Sequence, residues 1–312
     1  MEIVERVGDI LMEKIGLDPL VLSNAVFESV IKRQMTGRYH SEDAYLDELT
    51  ESPGELENLI DAIVVPETSF FRYPESFEFM LARALEHEKK PLRILSLPCA
   101  TGEEPYSIAM RLLESGLEPT AFRIDAVDVS EALLDRARTG FFHKHSFRSK
   151  RHDDYYKYFS SLRNGWQIGQ TVRNTVRFYR GNLLALPKHI LSNQYDFVFF
   201  RNLLIYLDRR ARTKTLGLLS SLLAEEGYLF VGHAEPAFFA GHFKQVNIDS
   251  VFCLQNTNLP EPHRLPTRLP PPRIRPSADW SHSTEQTADR SEHVEPETIK
   301  KRVHKTSPLI PT

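Results

Sequence analysis

The chain opens with apolar positions at helical spacing. Val4, Val7, Ile10 and Leu11 fall on one face of a first helix. Ser23 and Asn24 supply N-cap chemistry for a second helix running to Met35, and Glu42 to Leu49 and Glu55 to Val65 carry further turns. From residue 92 the pattern changes. Arg93 to Leu97 is a short apolar run of the buried-strand type, and Ser107 to Leu113 returns to helical spacing. Phe122 to Val129 reads as a second strand, Glu131 to Gly140 as a helix, and Val176 to Tyr179 as a third core strand. Tyr195 to Phe200, YDFVFF, is too apolar for an edge and is placed centrally. A helix from Asp208 to Leu223, a strand at Gly227 to Gly232 and a last strand at Ser250 to Leu254 close the sheet. This alternation predicts an α/β fold with a mostly parallel sheet behind a small N-terminal helical domain.

Three stretches break the alternation. Residues 65–80, bracketed by Pro66 and Pro74, read as a connecting segment rather than a regular element. Residues 141–178 are rich in aromatics and cations, and their Asn164, Gly165 and Gly169 turns lead into WQIGQTVRNTVRFY, a small antiparallel excursion. Residues 258–312 hold half of all the prolines, no glycine and few large apolar residues. Such a segment cannot bury enough surface to fold alone and is expected to be disordered. Its removal is expected to leave the melting temperature unchanged, which a thermal scan of the truncated chain checks. The predicted organisation is therefore a helical domain over 1–64, a linker with a connecting helix over 65–91, the α/β domain over 92–257 with its insertion at about 141–178, and the tail.

Composition narrows the function classes. A chain of 312 residues with 41% hydrophobic content and a net charge of −3 can bury one large core and one smaller one. No global field draws it to nucleic acid or to an anionic membrane. Acidic residues interrupt the N-terminal apolar run, and no stretch approaches the roughly 20 apolar residues that span a bilayer. A cytoplasmic protein is expected, with no nucleic-acid partner and no membrane insertion. Cys99 and Cys253 fit a reducing compartment, and the histidines of the insertion match no metal-ligand spacing.

The candidate chemistry sits where strands end. Between the first strand and its helix lies PCATGEEP, a glycine turn followed by Glu103 and Glu104. A helix N-terminus ordinarily favours an anion, but two carboxylates disfavour phosphate. They suit hydroxyls or a positive charge, as in a ribose or a sulfonium-bearing nucleoside; the competing reading is that they only complement the helix dipole. Asp128 ends the second strand, where an acid typically holds ribose hydroxyls; the alternative is an N-cap, for which Ser130 is better suited. Arg201 and Asn202 end the central strand. Thr68, Ser69 and Arg72, set among aromatics in the connecting segment, form either one wall of an active site or a hydrophobic hinge with an exposed arginine. Lys32, Arg33 and Arg38 on the second helix face either an acidic partner or only water.

With these pieces placed, residues 5–257 resemble the CheR family of chemoreceptor glutamate O-methyltransferases, which use S-adenosylmethionine. The resemblance rests on ETSFFR at 67–72, ATGEEPYSIAM at 100–110, DAVDVS at 125–130, NLL at 182–184, FRNLLIYL at 200–207 and GH at 232–233. Six motifs in the family's order are far more specific than any one. LPCATGEEP further resembles the Wsp-type branch, which modifies a receptor controlling surface growth. The resemblance implies a Rossmann-like methyltransferase sheet with a small β-subdomain inserted. It also implies that Thr68 and Arg72 border the cofactor, Glu103 lies in the first cofactor loop and Asp128 binds the ribose. Asn182 and Leu183 then flank the adenine, and Arg201 and Asn202 close the methionine side. Where many members have Asn, this chain has Pro66, so one polar cofactor contact is missing. The implied partner is the cytoplasmic helices of a methyl-accepting chemoreceptor-type protein, docked by Lys32, Arg33 and Arg38 on a monomeric enzyme. The Asn164 to Gly169 loop is short, so no tether to a receptor C-terminal peptide is expected.

Methyl transfer from a sulfonium to a glutamate uses a nucleophile that is already ionised, with an ordinary pKa near 4.3. The catalytic roles are therefore aiming and dehydration. Arg72 suits the first through bidentate hydrogen bonding, and Tyr206 could reach the substrate carboxylate unless it is simply a core tyrosine. A non-catalytic S-adenosylmethionine-binding adaptor is the alternative that keeps the fold. A nucleic-acid or small-molecule methyltransferase is disfavoured because RNLLIY stands where amine-methylating enzymes carry an Asn/Asp-Pro-Pro-aromatic motif. A nicotinamide-linked dehydrogenase lacks its three-glycine loop.

Overall fold

The computed structural model describes residues 2–64, 66–87, 91–148, 152–248 and 250–256. The expected tail, and Lys150 and Arg151 of the insertion, lie outside them. Four helices come first: α1 (Glu2–Ile15), α2 (Asn24–Met35), α3 (Glu42–Glu51) and α4 (Pro53–Ile63). The Ser41 hydroxyl caps α3 by accepting from Ala44 N, and Pro53 opens α4 in the first turn, where its missing N–H has no helical partner to lose. Their apolar faces meet in a core of their own, formed by Val7, Leu11, Phe27, Ile31, Tyr45, Leu49, Leu59 and Ile60. Between α2 and α4, Arg38 grips the buried Glu55 through both carboxylate oxygens, at 2.8 and 2.5 Å.

Helix α5 (Pro74–Glu86) begins inside the stretch expected to be irregular. Pro74 starts this helix instead of ending an extended segment, because proline is tolerated at the first helical position. The α/β alternation then runs β1 (Leu92–Ser96), α6 (Glu103–Glu114), β2 (Phe122–Asp128) and α7 (Glu131–Thr139). The insertion contributes β3 (Phe141–Phe142), β4 (Phe159–Leu162) and β5 (Gly165–Ile168), a separate antiparallel sheet in the order β3-β5-β4. It ends earlier than expected. After the short α8 (Gln170–Arg173), β6 (Val176–Arg180) already belongs to the large sheet, because Val176 pairs with Ile124 of β2. Then follow α9 (Lys188–Leu191), β7 (Tyr195–Phe200), α10 (Arg209–Leu222), β8 (Leu223–Val231), β9 (Lys244–Ile248) and β10 (Val251–Gln255).

The large sheet has seven strands in the order β6-β2-β1-β7-β8-β10-β9, parallel from β6 through β8, with β10 antiparallel to both of its neighbours. This is a mostly parallel, Rossmann-like sheet of the expected class. YDFVFF is its fourth and central strand, with both faces buried: Phe197 and Phe199 pack into one apolar layer, Val198 and Phe200 into the other. The strand order reverses between β1 and β7, so a crevice opens beyond their carboxyl ends, where ligands bind in such sheets. Among the described residues, no helix is long and apolar enough to cross a membrane.

Candidate active site

Four loops and one connecting segment meet at the crevice. The loop after β1 is bound to the sheet by Leu97 N donating to Phe199 O and Cys99 N to Val127 O, both at 2.9 Å. Gly102 then turns into α6 with φ +93°, and a Cβ there would come within 3.0 Å of the Ala137 methyl group and 3.2 Å of the Tyr106 ring. Glycine is therefore required both by conformation and by space. Burial raises the Cys99 thiol pKa well above its usual range, so it stays protonated and packs as a small apolar group.

The two glutamates of the loop, Glu103 buried and Glu104 partly so, divide their partners. Glu103 accepts from the Thr101 hydroxyl at 2.6 Å and, through its other oxygen, from the Ser146 hydroxyl of the insertion at 2.8 Å. Glu104 accepts from the Ser96 hydroxyl at 2.7 Å and turns its second oxygen to Arg201 Nη1, 3.3 Å away. The resemblance placed Glu103 in the cofactor loop; the geometry joins Glu103 to the insertion and Glu104 to the end of β7. Burial pushes the Glu104 carboxyl up and the Arg201 guanidinium down, and their mutual attraction opposes both shifts.

Arg201 is enclosed by aromatic rings, its guanidinium carbon 4.9 Å from the Phe199 centroid, 5.4 Å from Tyr73 and 5.6 Å from Phe77. Nη1 also donates to Arg72 O at 3.2 Å. Its Nε and Nη2 are buried without a partner among the described residues. Buried donors left open in this way lose free energy unless an acceptor arrives. Asp128, 2% exposed, accepts from Ala100 N at 2.8 Å and from Ser130 N at 3.0 Å, one bond to each oxygen. Burial pushes its carboxyl up, and these N–H groups oppose the shift. Ser130, as anticipated, is the cap of α7: its hydroxyl accepts from Leu133 N at 3.1 Å and donates to Asp61 of α4 at 2.5 Å.

The remaining loops are tied to the helical domain. Asn182 donates through Nδ2 to Lys14 O at 2.6 Å and accepts from Leu184 N at 2.9 Å, while Leu183 is buried beside it. After Arg201, Asn202 takes the left-handed conformation at φ +59°, and a single turn over Leu204–Tyr206 follows. Tyr206 O accepts from Asp18 N at 2.8 Å, Gly16 O accepts from Asp208 N at 2.9 Å, and Leu17 forms a β-bridge with Leu207. Burial, then Glu67, pushes the half-buried Tyr206 phenol up, and Arg72 opposes them. Arg72 itself lies in the connecting segment. It donates to Glu67 O, sits 4.0 Å from the Glu67 carboxylate, and stacks over Tyr73 at 5.3 Å. With Glu67, Thr68, Ser69 and Arg148 it lines an open depression of about 180 Å³.

Backbone strain marks the same place. Among the described residues six non-glycine positions have positive φ, and Phe71, Tyr73, Ala100 and Asn202 all belong to this crevice. Each such conformation costs on the order of 1–3 kcal/mol and persists only where the surroundings impose it. Phe71 is held by its stack on Tyr155 at 4.0 Å and by its N–H to the Ser107 hydroxyl at 2.9 Å; Tyr73 is held by His233 at 3.9 Å. Arg72 is thus fixed between two strained aromatics.

Local pattern gave no sign of Glu104 as a partner of Arg201, of Arg148 in the depression, or of Glu235, whose carboxylate receives the N–H groups of the β7 loop. Glu104 was visible as a residue of the turn; the other two carry no local signal. Of the basic residues on and beside α2, Lys32 and Arg33 are exposed, while Arg38 is occupied by Glu55.

The arrangement offers an acceptor for hydroxyls at Asp128, open cationic donors at Arg201 and an acid at Glu104. It fits a nucleoside carrying a zwitterionic amino-acid group. Comparison with known proteins agrees. Residues 66–252 match the family described as CheR methyltransferase, SAM binding domain. A probable biofilm formation methyltransferase, WspC, of Pseudomonas aeruginosa is 42% identical over 261 residues, covering 81% of this chain and 62% of that protein. Its namesake from Pseudomonas putida is 37% identical over 245 residues, 76% of this chain and 57% of that one. The chemotaxis protein methyltransferase of Escherichia coli is 31% identical over 193 residues, 60% of this chain and 67% of that one. The chain spans about three fifths of the length of the two WspC relatives. With its strand order and its motifs in one register, the chain belongs to the CheR methyltransferase family, whose S-adenosyl-L-methionine-binding domain it carries.

Proposed function

We propose that the chain transfers a methyl group from S-adenosylmethionine to glutamate side-chain carboxylates of a chemoreceptor-type signalling protein in the cytoplasm, forming methyl esters. The observation that carries this reading is Arg72, a guanidinium held between two left-handed aromatics at the mouth of the crevice, with Tyr206 close enough to feel its charge. The WspC relatives favour a receptor that governs surface growth.

When bound, the cofactor supplies a methyl group on a positively charged sulfur. Asp128 would hold its ribose hydroxyls, Asn182 and Leu183 would flank the adenine, and Arg201 with Asn202 would face the methionine end, beside Thr68 and Glu103. The Asn182 amide is already committed to Lys14 and Leu184, so Leu183 is left as the apolar contact. The substrate carboxylate arrives ionised and needs no base. Arg72 orients it through two parallel N–H donors, and the Tyr206 hydroxyl donates to one of its oxygens. Phe71 and Tyr73 hold the backbone on either side of Arg72, which fixes where its donors point.

Docking of the receptor helices falls to Lys32 and Arg33, with Arg38 serving its own fold first. Charge reversal at Lys32 and Arg33 is expected to raise the KM for a receptor fragment roughly tenfold at low salt, with a smaller effect at high salt and no change in melting temperature. Arg38→Ala is expected to lower the melting temperature instead, since it strands the buried Glu55. Equal KM for both variants and the parent would remove α2 from docking.

The deciding experiment is transfer of labelled methyl to receptor cytoplasmic fragments from the same cell, with Arg72→Ala as control. Base-labile label that depends on Arg72 supports the reading. No label on any fragment, despite cofactor binding, would turn it toward a non-catalytic binding protein.

A further inference from the structure

Glu235 is a buried acid with no part in the mechanism above. Glu235, 1% exposed, lies in the loop after β8, yet its carboxylate sits under the loop after β7. Oε2 accepts from Gly232 N at 2.7 Å and Asn202 N at 2.9 Å, and Oε1 accepts from Leu203 N at 3.0 Å and Leu204 N at 2.9 Å. Among the described residues no cation pairs with it; backbone dipoles alone meet its charge. Each bond to an ionised acceptor is stronger than its neutral counterpart, and all four are lost or halved together if the charge goes.

We propose that Glu235 is a positioning residue, whose carboxylate sets the backbone path of Arg201 to Tyr206 and thereby aims the Arg201 donors and the Tyr206 hydroxyl into the crevice. The inference deepens the function proposed above and rests on it. Three observations support it. The left-handed turn at Asn202 makes three successive N–H groups converge on one carboxylate, an anion-binding nest filled from within the protein. Gly232 leaves no room for a side chain, since a Cβ there would come within 2.9 Å of Glu235 Oε2 and 3.3 Å of Asn202 N. The glycine of the GH motif is thus explained by the approach of Glu235. Finally, the loop is tied at its far end by Asp18 N to Tyr206 O, so residues 201–206 run between two anchors. Glu235 is not an ordinary helix cap, because the turn it supports is a single turn and follows the neighbouring strand, β7.

The test compares full-length wild type, Glu235→Gln, Glu235→Asp and the core variant Leu219→Ala. Leu219 is fully buried in the last turn of α10, which leads into the start of β8 and not its carboxyl end. Calorimetric affinity for S-adenosylmethionine is measured well below every melting temperature, with hydrogen exchange at the amides of residues 202–204 and 232. Glu235→Gln offers one acceptor oxygen where two are used, so a loss of affinity of about tenfold or more is expected, with faster exchange at those four amides. Glu235→Asp keeps both oxygens and should recover part of each. Leu219→Ala should lower the melting temperature and leave affinity unchanged. If Glu235→Gln behaves like Leu219→Ala, keeping its affinity and its amide protection, the positioning role is overturned. Should the Gln variant fail to fold, Asp against wild type carries the same comparison. A wild type that does not bind S-adenosylmethionine would overturn the proposed function and the positioning role with it, an outcome distinct from loss in the variant alone.

Discussion

Replacing Arg72 by alanine should slow methyl transfer by on the order of 10²–10³-fold, the loss typical of one preorganised donor, while S-adenosylmethionine affinity falls by less than about tenfold. The asymmetry follows from where the guanidinium is. Its main internal bond is to the backbone carbonyl of Glu67, and the carboxylate of that residue is 4.0 Å away, a loose pair that a substrate carboxylate can displace. Removing the side chain leaves Phe71 and Tyr73 packed as before, so the fold should tolerate the change. Arg72→Lys keeps the charge without the fork and should restore only part of the rate. Single-turnover transfer of labelled methyl, set beside calorimetry of cofactor binding, separates the two quantities. If the loss of affinity accounts for the whole loss of rate, Arg72 is a cofactor ligand and the aiming role is wrong.

Asp128→Ala should weaken S-adenosylmethionine binding by roughly 10²-fold or more, since two hydroxyls would each lose a charge-assisted hydrogen bond worth about 1.5–3 kcal/mol. The same substitution strands Ala100 N and Ser130 N, so a fall in melting temperature is expected as well. Asp128→Asn separates these effects: its amide oxygen can still receive one backbone N–H, while its NH₂ group cannot accept from the other. A folded Asn variant that binds the cofactor within a few-fold of wild type would remove Asp128 from the ribose site. Both Asp128 variants should leave the α2 docking surface intact, so receptor fragments should still bind them.

How far the chain could be read depended on the range of the interaction. The turn after β1 was legible because its glycine, its acids and the periodicities on either side all lie within one short stretch. The central place of YDFVFF followed from its lack of any polar face, and the place of Asp128 at the carboxyl end of β2 from the apolar run before it. What escaped was pairing between distant residues. Arg38 looked like a free cation because its partner Glu55 lies a full helix away. Glu235 looked like any loop acid, since the N–H groups it receives belong to the other side of a strand pair. Pro74 misled for a different reason: a proline that ends one element and a proline that opens another are the same residue until the chain is folded.

The stitches between α1 and the crevice loops bear on how such a protein diversifies. Lys14, Gly16 and Asp18 hold Asn182, Asp208 and Tyr206 through main-chain atoms, and Asp61 reaches Ser130 directly behind Asp128. The N-terminal helices are therefore not an interchangeable module. A chimera that borrows residues 1–64 from a relative to acquire a new target would also import a new floor for Tyr206. With docking on α2 as proposed, changes on its exposed face would alter the target and leave those stitches untouched, which exchange of the whole module would not.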